Sequence, residues 1–351
     1  MDERSNIHRW MKFSAYDRSV HRLLPFTLLY AMPRSTPDNI SALAQGPIAL
    51  CCSHAEGATW EAGLRAALPQ ATLSTWPAAA PEAQCAIVWS PTQDFLDAHP
   101  KLRLVFNMGA GVDALVRLKL PPQARVVRIE DGGMAVQMAD YVTHAVLRHF
   151  REFDVYADSA AAKAWTPRKP RDRGDFSIGV MGLGALGLRV ATTLAAFDFP
   201  VLGWSQSPKQ IAGVQCLAGA AAFHDFLARS RILVCMLPLT PDTQGILNRD
   251  TLSRLQPGAY LINVARGAHV VEEDLLALVD NGHMAGATLD VTREEPLPAE
   301  HPFWQRRQIT LTPHISAQTV VREAVRQIAA KINAGLEGAA LSGVVDPVRG
   351  Y

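Results

Sequence analysis

From Gly46 onward the chain alternates short apolar runs with stretches in which apolar residues recur every three to four positions. Runs of the first kind read as buried strands and stretches of the second kind as helices. Strands are predicted at Pro47 to Cys52, Ala71 to Trp76, Ala86 to Trp89, Leu102 to Met108 and Arg125 to Glu130, with a helix over Trp60 to Leu68 ended by Pro69. Met134 to about Ala162 contains no proline and keeps helical spacing, which predicts one long helix suited to bridging two domains. After a polar, proline-rich break at Trp165 to Gly174 the alternation resumes. Strands are expected at Phe176 to Met181, Pro200 to Trp204, Ile232 to Leu237, Ala259 to Asn263, Gly286 to Asp290 and Gln308 to Thr312. Helices are expected at Leu186 to Phe197, Ala222 to Ala228, Asp250 to Leu255, Glu272 to Asn281 and Thr319 to Leu336, the last crossing back toward the first series. Such alternation implies parallel sheets covered by helices, an α/β fold.

A chain of 351 residues exceeds one ordinary core, and 48% hydrophobic residues supply enough material for two. Charged residues are 19%, below the roughly 25% of an average soluble protein, which hints at surface covered by a second subunit. The 34 Lys and Arg nearly cancel the 33 Asp and Glu, so the net charge of +1 argues for neither nucleic acid nor an anionic membrane as partner. The basic run Arg168-Lys169-Pro170-Arg171 reads as a solvated loop. Five cysteines without C-x-x-C spacing argue against a disulfide framework or a zinc site and fit a reducing cytoplasm; Cys235 lies within an apolar run as a small core residue. Residues 1–46 lack periodic structure. Leu23 to Met32 imitates a signal peptide only faintly, being interrupted by Pro25, and is too short to span a bilayer. The segment is expected to be a disordered extension, or the product of a start placed upstream of a true one at Met32.

The chemistry begins at Gly182-Leu183-Gly184-Ala185-Leu186-Gly187, a G-x-G-x-x-G directly after an expected strand and at the start of an expected helix. Gly182 permits the tight turn, Gly184 lets the backbone approach a pyrophosphate, and Gly187 allows close helix–strand packing. The pyrophosphate would rest on the amides at the positive helix end. An NAD enzyme usually carries an acid after the next strand, but here stands Ser205-Gln206-Ser207-Pro208-Lys209. Ser205, Ser207 and Lys209 can receive a 2′-phosphate that an acid would repel, which favours NADP(H) while leaving NAD(H) possible.

Ionisable residues then recur at strand ends, in Asn263-Val264-Ala265-Arg266-Gly267, in Asp290-Val291-Thr292-Arg293-Glu294-Glu295-Pro296 and in Thr312-Pro313-His314-Ile315-Ser316. Together with the glycine motif this order resembles the D-2-hydroxyacid dehydrogenase family, and within it the branch acting on glyoxylate and hydroxypyruvate. The resemblance covers residues 47 to 351, the tail Val345 to Tyr351 included. It implies a Rossmann cofactor domain (145–317) inserted in a flavodoxin-like substrate domain (47–144 and 318–351), both doubly wound, and a homodimer. It implies reduction of a small 2-oxo acid to its D-2-hydroxy acid, glyoxylate to glycolate or hydroxypyruvate to glycerate. Arg266 would bind the substrate carboxylate and the ketone oxygen, His314 would donate the proton, and Glu295 would partner His314. Each role suits its side chain: a guanidinium stabilises developing oxyanion charge, an imidazolium is an acid near neutral pH, and a carboxylate favours the charged imidazole.

In the first series, Asn107-Met108-Gly109-Ala110-Gly111-Val112-Asp113 looks like the family's carboxylate-binding loop, with the Ala110 and Gly111 amides as donors. Trp89 would close the pocket, although simple core packing explains it nearly as well. Asp290 would meet the nicotinamide carboxamide, while Leu237, Pro238, Thr243 and Ala265 would line the cofactor groove. His144 and His149 have no matching acids and read as structural. His269 and Glu272 have no third partner, so no metal is expected. Another short 2-oxo acid such as pyruvate, or a cofactor-sensing corepressor-like binding protein, remain the alternative readings.

Overall fold

The computed structural model describes residues 46–351 apart from His54, Ala79, Pro347 and Val348, so the expectations for residues 1–45 lie outside the described residues. The first series folds as β1 (Ile48–Cys52), α1 (Gly57–Ala67), β2 (Leu73–Thr75), β3 (Cys85–Trp89), α2 (Gln93–Asp97), β4 (Leu104–Asn107) and β5 (Arg125–Arg128). These strands form a parallel sheet in the order β2-β1-β3-β4-β5, the flavodoxin-like doubly wound arrangement. Two helices follow, α3 (Met134–Phe150) and α4 (Phe153–Ala161).

The second series comprises β6 (Ile178–Met181), α5 (Ala185–Ala196), β7 (Val201–Ser205), β8 (Val214–Ala218), α6 (Phe223–Ala228), β9 (Ile232–Cys235), α7 (Arg249–Leu252) and β10 (Ala259–Asn263). It continues with α8 (Glu272–Asp280), β11 (Met284–Leu289), β12 (Ile309–Leu311) and α9 (Val321–Leu336). Its seven strands are parallel in the order β12-β11-β10-β9-β6-β7-β8, a Rossmann order extended by one strand. The chain is therefore α/β with two doubly wound sheets, the second inserted into the first.

Helix α9 returns the chain to the first sheet. Its residues Ala324, Val325, Ile328 and Ile332 recur at helical spacing and share a core with Ile48, Trp60 and Leu64. The tail then hydrogen-bonds to β5, with Arg128 N donating to Gly343 O and Val345 N to Val126 O, both at 2.9 Å. Lys331 is buried where helix and tail meet, and its ammonium donates to Arg128 O, Ser342 O and Glu130 at 2.8–3.1 Å. Burial lowers its pKa while Glu130 opposes the shift.

One expectation needs correction. The helix beginning at Met134 does not run unbroken to Ala162, because Glu152 takes a left-handed conformation (φ 56°) and separates α3 from α4. The buried stripe of α3 ends at Phe150, edge-on to Phe176 and Phe199, whereas α4 has no buried residue. Helical spacing thus persists past the break without a core behind it. The run Arg168 to Arg171 is a solvated loop, as expected, and its arginines make surface ion pairs. Arg168 and Arg171 both pair with the Glu152 carboxylate, at 2.9 and 2.7 Å, and Arg168 leads in holding that carboxyl below its usual range. Strand β8, absent from the expected series, is a partly exposed edge strand and so lacks a continuous apolar run.

His149 stacks on Tyr260 with ring centroids 4.2 Å apart. Burial, aided by Arg171 and Arg231, pushes its pKa down to about 4. The unfolded chain takes up this proton near the ordinary value of about 6.5, whereas the fold resists it until about 4. The associated stability is present above pH 6.5 and is lost as pH falls through that window. Urea unfolding at pH 7 and pH 4.5 should lose about 2 kcal/mol more for the unmodified protein than for His149→Gln. Parallel pH profiles for the two proteins would reject this role.

Candidate active site

The strand registers bring the expected residues to a common level. Met181 pairs with Cys235 and with Trp204, so the loops starting at Gly182, Gln206 and Met236 leave one edge of the second sheet together. Asn263 pairs with Leu289, and Leu289 with Leu311, which brings the loops carrying Arg266, Glu295 and His314 to the same edge. In the first sheet Trp89 ends β3 opposite Cys52, and Asn107 ends β4 opposite Val88. Open parallel sheets bind ligands at these carboxyl ends.

The glycine turn has the shape a pyrophosphate requires. Gly182 has φ 97°, and a Cβ on it would lie 2.8 Å from Met236 O. A Cβ on Gly187 would lie 1.9 Å from Gly182 O, so α5 packs directly on the turn. Gly184 differs, since nothing lies within 4 Å of its notional Cβ. Protein packing therefore leaves open space at this glycine. Gly184 also gives α5 no side-chain cap, so the first-turn amides at exposed Ala185 and half-buried Leu186 remain available to an anion. A dinucleotide pyrophosphate fits this cradle.

Around it, Leu237 is buried and Pro238 and Thr243 are partly so; the Thr243 hydroxyl donates to Pro238 O at 2.7 Å. Ala265 N donates to Asn263 Oδ1, and Ala265 O accepts from Arg266 Nη1 at 2.7 Å. Ser205 Oγ donates to Ser207 O at 2.8 Å, and Lys209 lines a surface hollow with Ile211 and Cys216.

Arg266 reaches the loop of the first sheet. Its Nε and Nη2 lie 3.1 and 3.0 Å from Asp113 Oδ1, and a Cβ on Gly111 would lie 1.8 Å from Nη2. The guanidinium therefore rests on the Gly111 backbone. Asn107 shapes this loop by donating to Gly109 O and Gly111 O at 2.8 and 2.9 Å. Among the described residues the Ala110 and Gly111 amides donate no backbone hydrogen bond, consistent with a role as carboxylate donors. Trp89 lies over the same loop, since a Cβ on Gly109 would be 3.1 Å from its ring.

His314 Nδ1 is 2.9 Å from Glu295 Oε2. Both side chains are more than 40% exposed, so the pair adds little stability; the contact orients the ring and engages Nδ1 rather than Nε2. His314 itself has φ 54°, an unusual conformation for a residue other than glycine. Asp290 imposes it. The Asp290 backbone oxygen accepts from His314 N, and its buried carboxylate accepts from Thr312 Oγ1, Ile315 N and Ser316 N at 2.6–2.8 Å. Those three donors leave one lone pair, on Oδ2, for the carboxamide contact expected of Asp290. Among the described residues no hydrogen bond joins Arg266 to His314 or Glu295.

Sequence reasoning missed Asp113 as the partner of Arg266. It also missed Tyr141 of α3, whose hydroxyl is 2.5 Å from Thr312 Oγ1 and extends the Asp290 network; burial pushes that phenol up to about 12. Glu272 meets Arg293 N and His301, and His269 turns inward beneath Arg266. Among the described residues no group of three metal-ligating side chains comes together.

Comparison with known proteins identifies the family. Residues 143–316 match the family model described as D-isomer specific 2-hydroxyacid dehydrogenase, NAD binding domain. Glyoxylate/hydroxypyruvate reductase A of Serratia proteamaculans is 47% identical over 299 residues, 83% of this chain and 96% of that one. Among solved structures, the D-isomer specific 2-hydroxyacid dehydrogenase of Xanthobacter autotrophicus Py2, in complex with NADPH and MES, superposes with a TM-score of 0.83 at 40% identity, covering 88% of this chain and all of that one. The NADPH-dependent glyoxylate/hydroxypyruvate reductase of Sinorhizobium meliloti, with NADP and sulfate, gives 0.81 at 33% identity over 87% of this chain and all of that one. The fold and the comparisons define an oxidoreductase with a dinucleotide-binding domain. The chain belongs to the D-isomer-specific 2-hydroxyacid dehydrogenase family.

The contact between Gly111 and Arg266 is open to a direct test. Gly111→Ala places a methyl group where the guanidinium lies and should cut kcat/KM for a 2-oxo acid by roughly 10–10², as expected for a small misplacement of a binding group. Cofactor affinity, measured by fluorescence titration, should stay within about twofold. Unchanged kinetics would show that the substrate does not depend on this placement.

Proposed function

We propose that the protein reduces glyoxylate and hydroxypyruvate to glycolate and D-glycerate with NADPH as the preferred reductant. The observation that carries this reading is the His314–Glu295 pair on the same sheet edge as Arg266, whose guanidinium rests on the Gly111 loop. Residues 145–317 form the cofactor domain, and residues 47–144 with 318–351 the substrate domain. Gly182, Gly184, Ala185, Leu186 and Gly187 hold the pyrophosphate, and Leu237, Pro238, Thr243, Ala265 and Asp290 line the remainder of the cofactor groove. Bound there, the nicotinamide supplies the hydride.

The protein's own part is binding, orientation and proton delivery. Arg266 and the Ala110 and Gly111 amides hold the substrate carboxylate, and the Arg266 charge stabilises the ketone oxygen as negative charge develops on it. Trp89 limits the size of the group beyond the ketone. His314 Nδ1–H donates to Glu295, which supports the imidazolium, and Nε2 gives its proton to the oxygen. His314→Ala should reduce kcat by roughly 10²–10⁴ while NADPH still binds. Loss of cofactor binding, or near-normal turnover, would remove His314 from this role. An intact acid pair and carboxylate site favour an enzyme over a corepressor-like sensor.

Cofactor preference rests on Ser205, Ser207 and Lys209 and on the absence of an acid after β7. NADPH should exceed NADH in kcat/KM by about tenfold, or about 1.4 kcal/mol, and Ser205→Asp should reverse the order. Equal efficiency in the unmodified enzyme would overturn the preference.

We also propose a homodimer in the cytoplasm. Supporting the first is the apolar surface of α4 and the following loop, where Phe153 is 49% and Trp165 fully exposed. Buried thiols at Cys51, Cys85 and Cys235 fit a reducing compartment, and among the described residues no helix is long and apolar enough to cross a membrane. Sedimentation at micromolar concentration should give one species of twice 38.2 kDa, and a monomer would refute the dimer.

A further inference from the structure

Beneath Arg266, the turn Gly267–His269 is the meeting point of three loops. Gly267 lies against Thr292, on the segment leading to Glu295, so closely that a Cβ would be 1.9 Å from the Thr292 carbonyl carbon. The backbone of Ala268 and His269 accepts from Gly245 and Leu247, beyond the cofactor loop, at 2.9 Å each. The His269 side chain is completely buried. Arg266 N–H points to its Nδ1 at 3.3 Å, and Pro238 O lies 3.3 Å from its Nε2.

The proton can be assigned from the neighbours. Nδ1 is also 3.0 Å from Arg266 O, but that oxygen already accepts from Asn263 Nδ2 at 2.9 Å and from His269 N at 3.2 Å. A carbonyl oxygen has two lone pairs, and both are engaged. With the proton on Nε2, the ring accepts from Arg266 N–H and donates to Pro238 O, satisfying both nitrogens. With the proton on Nδ1, the partly buried Arg266 N–H would lose its acceptor and Nε2 would set its lone pair against Pro238 O. Burial lowers the ring's pKa and outweighs the backbone hydrogen bonds at Pro238 and Arg266, which raise it. His269 is thus held neutral and keeps a shape, a part distinct from the acid role proposed for His314.

We propose that His269 is a positioning residue that braces the backbone of Arg266 against the cofactor loop at Pro238, so that filling the cofactor groove and setting the substrate-binding guanidinium are energetically coupled. The inference rests on the proposed function of Arg266 and of the Pro238–Thr243 loop. Pro238 O is the common node, because it also accepts from Thr243 Oγ1. A cofactor that settles on this loop stiffens Pro238 O, and the imidazole passes the constraint to the residue that meets the substrate carboxylate. Neither ring contact touches a reacting atom, so the effect falls on binding and placement.

Two conservative variants separate the two ends of the brace. In His269→Asn the amide oxygen can replace Nδ1 and keep the Arg266 N–H bond, while the bond to Pro238 is lost. In His269→Gln the amide nitrogen can reach Pro238 O, while the bond to Arg266 is lost. NADPH dissociation constants from fluorescence titration, KM and kcat for glyoxylate, and the effect of oxalate on NADPH affinity are measured for all three proteins. The unmodified protein should bind NADPH several-fold tighter with saturating oxalate, and both variants should lose most of that coupling. His269→Gln should raise KM for glyoxylate about tenfold with NADPH affinity within twofold, and His269→Asn should show the reverse. Coupling retained in both variants, or KM and NADPH affinity changing together in each, would overturn the brace. If neither variant folds, ¹⁵N-histidine spectroscopy of the unmodified protein decides: a neutral ring protonated on Nε2 supports the brace, and a proton on Nδ1 overturns it. An unmodified protein that binds NADPH and oxalate but turns over no 2-oxo acid refutes the proposed function, while the oxalate coupling still tests His269.

Discussion

A carboxylate taken out of water must be given donors, and Asp290 is the point at which this requirement organises the site. Burying an isolated charge costs several kcal/mol, and the loss is contained only when the oxygens are satisfied in good geometry. Here the donors are Thr312 Oγ1 and the amides of Ile315 and Ser316, all from one short loop. That loop has no freedom to choose another path, so His314 is carried into a left-handed conformation that it would not adopt alone. The strain is met by hydrogen bonds that Asp290 would otherwise lack. The orientation of the His314 ring toward Glu295 follows from the backbone beneath it. Tyr141, reaching from α3 to Thr312, stiffens the same network from the opposite side.

The second constraint is that the site belongs to two sheets. The loop of the first sheet supplies Gly111 and Asp113, and the second supplies Arg266 to them. Asp113 takes two guanidinium nitrogens on one oxygen, which orients the planar group. Arg266 is also held from behind, its backbone tied to Asn263 and His269. A long, flexible side chain thus becomes a fixed one by being gripped at both ends, which lowers the entropy lost when a ligand arrives.

Much of this was legible in the chain itself, and the division has a physical basis. Gly182 to Gly187, the strand ends and the residues Arg266, Glu295 and His314 are local signals: each depends on a few consecutive residues and on the element that precedes them. The links between those signals are not local. Asp113 and Arg266 are 153 residues apart, and Tyr141 and Thr312 are 171 apart, so no spacing in the sequence connects them. The break at Glu152 was hidden for a different reason. Apolar residues continue at helical spacing through Phe153 and Tyr156, and only the three-dimensional structure shows that they lie on the surface. The edge strand β8 escaped because a half-exposed strand does not need an apolar run.

The return of α9 and the tail to the first sheet carries a consequence for how the chain is made. The face of α1 presented by Trp60 and Leu64 is covered by Val325, Ile328 and their neighbours, which emerge from the ribosome more than 250 residues later. The second sheet, lying wholly between, is complete before they appear. Synthesis therefore imposes an order: the inserted unit can close while the outer one waits with an apolar helix face bare. The barrier to forming the outer core is eased because the finished insert brings the distant ends of the chain close together, shortening the loop that must be closed. During that interval the nascent chain is most exposed to aggregation, and chaperones that shield apolar surface would have their strongest claim on this protein then.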